Sequence, residues 1–194
     1  MEVAAGQPIT AIAHDFTLQP GVPMIRVDDS DCIAGRTTLQ LTQGEFSRDQ
    51  PDKKPLTWRV PVIVKPLGTA APVRELVTGG QATLTVPGCG PLIVNAGQSG
   101  YYRTLYSPRQ FAGIAKNFAS IAPIDQLGIL SDSWSLGLAG QQPVTDFLEL
   151  ASATPVSADP QIWRKIALVL DAINDYYDGQ LAQQSLFRQF AIAR

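Results

Sequence analysis

Histidine, cysteine and charge are all scarce in this 194-residue chain, and each shortage closes off a class of function. There is one histidine, there are two cysteines, and only 16% of residues are charged. A metal site of nitrogen and sulfur ligands normally takes three or four, and His14 has no second histidine or cysteine near it in sequence. It reads as a loop histidine near a domain boundary. A serine nucleophile needs a histidine base oriented by a third group, and no serine stands in a G-x-S-x-G elbow; Gln98-Ser99-Gly100 does not qualify. Two cysteines fall far short of a disulfide framework. Cys32 and Cys89 lie in strand-like surroundings, where small buried thiols are common, and are expected to be free. Fifteen basic residues against 17 acidic ones leave a net charge of −2, which offers no basic face to nucleic acid. No apolar run reaches the roughly 18 residues of a membrane span. The start, MEVAAGQPITAIAHDF, has neither the basic head nor the apolar core of a signal peptide.

What is present is core. Hydrophobic residues make up 45% of the chain, enough for one large domain or two small ones. Residues 1–15 read as the end of something preceding: Ala4, Ala5, Ile9 and Ile12 suit a helix end, with Gly6 breaking it. From about Phe16 to Tyr106 the period is two. Leu39 and Leu41 alternate with threonine and glutamine; Trp58, Val60, Val62 and Val64 share one face; so do Ala82, Leu84 and Val86. Turn formers separate the runs at Pro20-Gly21, Asp28-Asp29-Ser30, Gln50-Pro51-Asp52, Gly79-Gly80 and Pro87-Gly88. Pro61 marks an edge or a bulge. About seven short strands without intervening helices predict an antiparallel β-sandwich, and parallel crossovers are not expected.

After Tyr106 the period becomes helical. Ser107 followed by Pro108 is a cap and a first helical position, with Phe111, Ile114, Ala115 and Phe118 on one face. Asp125 opens a second helix that turns Leu127, Leu130, Trp134 and Leu138 inward and stops at Gly140. A third holds Phe147, Leu148 and Leu150. Asp159 and Pro160 start a fourth, with Ile162, Ile166, Val169, Leu170, Ile173 and Tyr176 as its stripe and Gly179 as its end. A fifth covers roughly Leu181 to Ala193. Short links predict an antiparallel helical array, the start of an α-solenoid-like domain. In the last helix Leu186, Phe187 and Phe190 call for a partner. The division is thus 1–15, a remnant; 16–106, the sandwich; and 107–194, a truncated helical domain.

The turn and strand at Gln19–Val27, the run Leu41, Gln43 and Phe46, Trp58-Arg59-Val60-Pro61, the stretch from Asn95 to Tyr106 and the helix residues Leu127, Leu130, Asp132 and Trp134, in this order, resemble the zinc aminopeptidases of the aminopeptidase N family. Gln19-Pro20-Gly21-Val22-Pro23 and Met24-Ile25-Arg26-Val27 resemble the entry to that family's sandwich. Leu41, Gln43 and Phe46 match an L-x-Q-x-x-F strand and turn, and Trp58-Arg59-Val60-Pro61 resembles its W-x-I-P strand. Asn95, Gly97, Gly100, Tyr101, Tyr102, Arg103 and Tyr106 match its junction between sandwich and helices. Leu127, Leu130, Asp132 and Trp134, then Phe147-Leu148-Glu149-Leu150, resemble the helices that follow. At this junction Gly21 and Gly100 are read as positions of unusual backbone angle, and Tyr101 and Tyr102 as pointing to opposite faces. Arg103 either lies along an aromatic ring or pairs with Asp132. Trp58 and Trp134 fill one core each.

The resemblance implies a parent enzyme that removes single residues from peptide N-termini with a zinc ion. It also implies that the chemistry lies elsewhere. H-E-x-x-H cannot be written with His14-Asp15, and the family's G-x-M-E-N loop has no counterpart around Met1 or Met24, so no catalytic, cofactor or metal residue carries over. The partners implied are the absent catalytic domain, the remaining C-terminal helices and, for the parent, a peptide. A free-standing peptide- or protein-binding module is the alternative; a third reading is a separated domain that dimerises through apolar surface. Two sharper readings lose to plainer ones. The glycines of NAGQSG lead into a strand and not into the helix that a phosphate loop requires. Asp28, Asp29 and Asp31 lack the glycine and glutamate of a calcium loop and read as a solvated turn. Asp171, Asp175 and Asp178 keep one helix face wet, and Tyr176-Tyr177 beside them are read as packing.

Overall fold

The computed structural model describes residues 6–28, 31–50, 52–68 and 71–192; expectations that fall on Met1, Ala4, Ala5, Asp29, Ser30, Pro51 and Ala193 lie outside them. The alternation of Arg36–Phe46 (β3) makes this strand the spine of the first sheet, with Leu39 and Leu41 buried. Val22–Val27 (β1) and Asp31–Ile33 (β2) pair antiparallel along one edge of β3, and Gln81–Pro87 (β6) pairs antiparallel along the other. Arg103–Tyr106 (β8) extends the sheet beyond β1. In the second sheet Val60–Pro66 (β4) is central, antiparallel to Val73–Val77 (β5) and to Leu92–Val94 (β7). The chain crosses between sheets at Gly79-Gly80, both at positive φ (65° and 87°). Valines 60, 62 and 64 of β4 share one apolar core with Leu39, Leu41, Leu84 and Val86 of the facing sheet. Pro61 pairs with Leu76 of β5 on one side only, because β7 reaches no further than Val64; that open edge is what a residue without an N–H needs.

One pairing departs from expectation. β8 runs parallel to β1, Met24 opposite Arg103 through Val27 opposite Tyr106. No crossover helix is involved: the rest of the sandwich is the connection, so the last strand returns beside the first and leads out into the helices.

Six α-helices lie among the described residues. Ile9–Leu18 (α1) precedes the sheets. It begins after Gly6 and does not end there, and it runs past Phe16, where strand sequence was expected. Arg59 explains why: its Nη1 and backbone N–H both bind Asp15, at 2.9 and 2.8 Å, and Gln19 Nε2 donates to Thr57 O. His14 therefore stands on a helix, exposed, and not in a loop. After β8 come Pro108–Lys116 (α2), Pro123–Leu138 (α3), Thr145–Ala153 (α4), Pro160–Tyr176 (α5) and Leu181–Ile192 (α6). Ser107 accepts from Gln110 N and Asp159 from Gln161 N, each followed by proline, as the cap signals predict. Phe111, Ile114 and Phe118 continue the sandwich core, and Phe147, Leu150, Ile162, Ile166 and Val169 close it from the far side.

Two helix faces need correction. In α3 the inward residues are Asp125, Gln126, Ile129, Leu130, Asp132, Ser133, Leu136 and Gly137; Leu127, Trp134 and Leu138 are only half-buried. In α5 Ile162, Ile166, Val169 and Ile173 are buried but Tyr176 is exposed, because the stripe passes from Ile173 to Tyr177, whose ring meets Phe187 of α6.

The cysteines are not free: Cys32 and Cys89 form a disulfide, with Cα atoms 5.5 Å apart. Sheet topology is the reason. Cys32 sits opposite Thr37 on β3, and the Thr37 hydroxyl donates to Gly88 O at 2.6 Å. That bond folds the chain beyond β6 back over the end of β3 towards β2.

Candidate functional site at the sheet-to-helix junction

Between β7 and β8 the chain makes a loop that meets the strands through Ala96 N–H, which donates to Ile63 O of β4 at 3.1 Å. Asn95 and Gln98 both adopt left-handed backbone (φ 63° and 51°), unusual outside glycine and easiest for asparagine. Asn95 is nearly fully buried and acts as the loop's template: its Oδ1 accepts from Gly100 N at 2.8 Å and its Nδ2 donates to Gly100 O at 3.0 Å. Gly100 is required by close approach and not by an unusual φ, since a Cβ there would lie 2.2 Å from the Tyr102 ring and 3.0 Å from Asn95 Oδ1. At Gly21 both reasons hold, with φ at +108° and Glu45 in the way of a side chain. Tyr101 and Tyr102 point to opposite sides, 67% and 5% exposed.

Helix α3 supplies what the loop lacks. Gly97 N–H donates to Asp125 Oδ1 at 2.7 Å. Seven residues on, Asp132 accepts Arg103 Nη1 on one oxygen and Thr104 N–H on the other, both at 2.9 Å. Arg103 also lies over Phe46, its Cζ 5.6 Å from the ring centre, so it has both of the partners weighed for it. Tyr106 closes the inner side: its hydroxyl accepts from Val94 N–H and donates to Val94 O. Burial raises the Asp132 carboxyl to about 6, although Arg103 and the Thr104 N–H pull it down. Asp125 is raised for the same reason, against the pull of Gly97 N–H. Burial also pushes the Tyr102 and Tyr106 phenols upward. Over the loop lies a cleft of about 320 Å³ bounded by Asn95, Gln98, Tyr101, Ile124 and Ser131.

This arrangement ties the loop before β8, and β8 itself, to helix α3. Both carboxylates are committed to backbone N–H groups, and the phenols stay protonated. Among the described residues no three His, Cys, Asp or Glu side chains are grouped as metal ligands; His14 lies exposed on α1 and both cysteines are in the disulfide. The glycine loop runs into β8, so no helix N-terminus waits behind it for phosphate. Asp31 is an exposed strand residue facing Arg109 at 4.0 Å, and Asp171, Asp175 and Asp178 are exposed. Sequence reading paired Asp132 with Arg103 but missed Asp125, taken there only as a helix start. Its signal is the seven-residue spacing from Asp132 on one helix face, after a loop rich in unpaired backbone.

The family model for the ERAP1-like C-terminal domain matches residues 91–194. The chain is similar to the puromycin-sensitive aminopeptidase of Caenorhabditis elegans, 26% identical over 171 residues that cover 84% of this chain and 18% of that protein. It is similar to aminopeptidase M1 of Arabidopsis thaliana, 28% identical over 173 residues (79% and 19%). It also matches the tricorn protease-interacting factor F2 of Thermoplasma acidophilum, 23% identical over 173 residues (89% and 20%). The chain thus spans about a fifth of the length of these curated relatives.

Proposed function

The chain belongs to the family of ERAP1-like C-terminal domains, and from that premise we propose that it is the non-catalytic sandwich-and-helix portion of a zinc metallo-aminopeptidase, a hydrolase that removes N-terminal residues from peptides. Its work is positional: it holds the helical domain as a roof over the catalytic chamber. The division falls after Tyr106, with 16–106 as the sandwich, 107–194 as the opening of the helical domain and 1–15 as the end of the catalytic part. Zinc and peptide belong to that catalytic part, and the partners of this chain are the catalytic domain and further helices of the same protein.

One observation carries the reading. The segment matched by the family model begins at Pro91 and contains the whole clamp: Gly97, Arg103 and Thr104 on the sheet side, Asp125 and Asp132 on the helix side. A rigid joint is what a roof needs, and charge-assisted bonds to buried backbone are among the stronger polar contacts available.

The test has two arms. The 194-residue chain, purified alone, is expected to release no chromophore from aminoacyl chromogenic substrates and to bind no stoichiometric zinc. The open reading frame around it is expected to encode H-E-x-x-H upstream, and the longer protein to turn the same substrates over. Turnover by the isolated chain, or a frame lacking that motif, overturns the proposal.

A further inference from the structure

The disulfide stands apart from the junction and independent of the reading above. Cys32 and Cys89 are both exposed. With Gly90, Pro91, Arg109 and Gln110 they line a cleft of about 330 Å³. The far wall of that cleft is the first turn of α2, the positive end of the helix. Arg109 in this turn pairs loosely, at 4.0 Å, with Asp31, the residue before Cys32. A sulfur released from the bridge shares this cleft with a guanidinium and the first turn of a helix, and both favour thiolate.

We propose that the Cys32–Cys89 bridge is a thiol–disulfide exchange site, open to small dithiols, whose opening loosens the β6–β7 connection from helix α2. A reagent thiolate attacks one bridge sulfur; the Cys32–Cys89 bond breaks as a mixed disulfide forms, and the other cysteine leaves as thiolate. The second thiol of the reagent then displaces the remaining cysteine. The protein gains two electrons and keeps two reduced cysteines, and the dithiol departs as its own disulfide.

The opening is local because other bonds keep the connection in place. Gly88 N–H donates to Gly35 O at 2.7 Å, Thr37 to Gly88 O at 2.6 Å and Leu67 N–H to Pro91 O at 2.9 Å. The movement reaches α2 through Pro91, which sits so close to Gly113 that a Cβ there would lie 3.3 Å from its ring.

The experiment treats the 194-residue chain with dithiothreitol in non-denaturing buffer, quenches with N-ethylmaleimide and reads intact mass. Untreated protein is expected to take no maleimide and treated protein two, with the far-ultraviolet circular dichroism retained and hydrogen exchange in α2 accelerated. Arg109→Gln is expected to slow opening about threefold or more, through loss of thiolate stabilisation, and Arg109→Lys to restore most of the rate. Four results overturn the proposal: maleimide uptake before reduction, labelling that requires denaturant, collapse of the dichroism on reduction, or equal rates for the wild type and Arg109→Gln.

Discussion

Strand β4 and helix α3 both bury one face, and they do it with opposite chemistry. β4 turns in Val60, Val62 and Val64, with Pro61 exposed between them. α3 turns in Asp125, Gln126, Asp132 and Ser133 beside Ile129, Leu130 and Leu136. The cause lies in what each element meets. The backbone around β4 is largely paired by strands, so its side chains have only volume to fill. α3 meets the loop before β8 and the start of β8, where the Gly97 and Thr104 N–H groups bond to the Asp125 and Asp132 carboxylates. A buried N–H without an acceptor costs about 1–3 kcal/mol, so an apolar helix face at this place would destabilise the joint. Hydrophobic patterning locates a buried face where the neighbouring backbone is satisfied, and misplaces it where the neighbour still needs acceptors.

The sharpest way to break this contrast is to remove one member from each side. Trp58 is 1% exposed at the mouth of β4, and Trp58→Ala is expected to cost about 4 kcal/mol through lost transfer energy and a cavity. Asp132→Ala strands Arg103 and the Thr104 N–H together and is expected to cost about 3 kcal/mol, the range for breaking a buried pair. Urea denaturation of both variants reads the two values. A cost below about 1 kcal/mol for Asp132→Ala, the level of an exposed ion pair, would mean that α3 is held by its apolar residues after all.

Acidity sharpens the contrast further, because the helix face carries two carboxyls raised by burial. The folded Asp132 carboxyl is raised to about 6, mainly through burial, above the ordinary aspartate value of 3.8. Between those values the folded chain holds a proton that the unfolded chain does not. Its contribution to stability is therefore fully present below the unfolded value and is lost as pH rises through about 6. Asp125 and Asp146 are raised as well, and shift stability in the same direction. The melting temperature is expected to rise as pH falls from 7.5 to 5.5, with this carboxyl contributing on the order of 1 kcal/mol over that window. In Asp132→Asn the same scan is expected to lose most of its slope. An unchanged slope in that variant would assign the titration to other groups.

Much of the fold was legible in the chain itself. The faces of β3, β4 and β6 came from period two, the starts of α2 and α5 from Ser107-Pro108 and Asp159-Pro160, and the junction from its tyrosines and glycines. What stayed hidden depends on contacts distant in sequence. The disulfide needs β3 between β2 and β6, and a hydroxyl at Thr37 to turn the chain back; neither appears in the residues around Cys32 or Cys89. α1 needs Arg59, 44 residues from Asp15, to hold it. The true face of α3 needs knowledge of which loop N–H groups lack partners. Tyr176 was misread because the helical period carries the stripe from Ile173 to its neighbour Tyr177, which packs against Phe187.

The smallest expected effect is also the most discriminating, because its sign depends on a single neighbour. Gly128 lies within α3, where alanine is ordinarily favoured by roughly 1 kcal/mol. Here the carboxamide of Gln98 occupies the space above it: a Cβ on Gly128 would fall 2.0 Å from Gln98 Cδ. Gln98 is itself held, with left-handed backbone and its amide donating to Asn95 O at 3.2 Å, so it yields only by giving up that bond. Gly128→Ala is therefore expected to be destabilising by about 1 kcal/mol, the propensity gain being outweighed by displacement of a hydrogen-bonded side chain. In a Gln98→Ala background the obstruction is gone, and the same substitution is expected to become stabilising by up to about 1 kcal/mol. A double-mutant cycle by chemical denaturation reads this reversal. Additivity between the two sites would show that loop and helix do not touch there, and would reduce the junction to its two carboxylates.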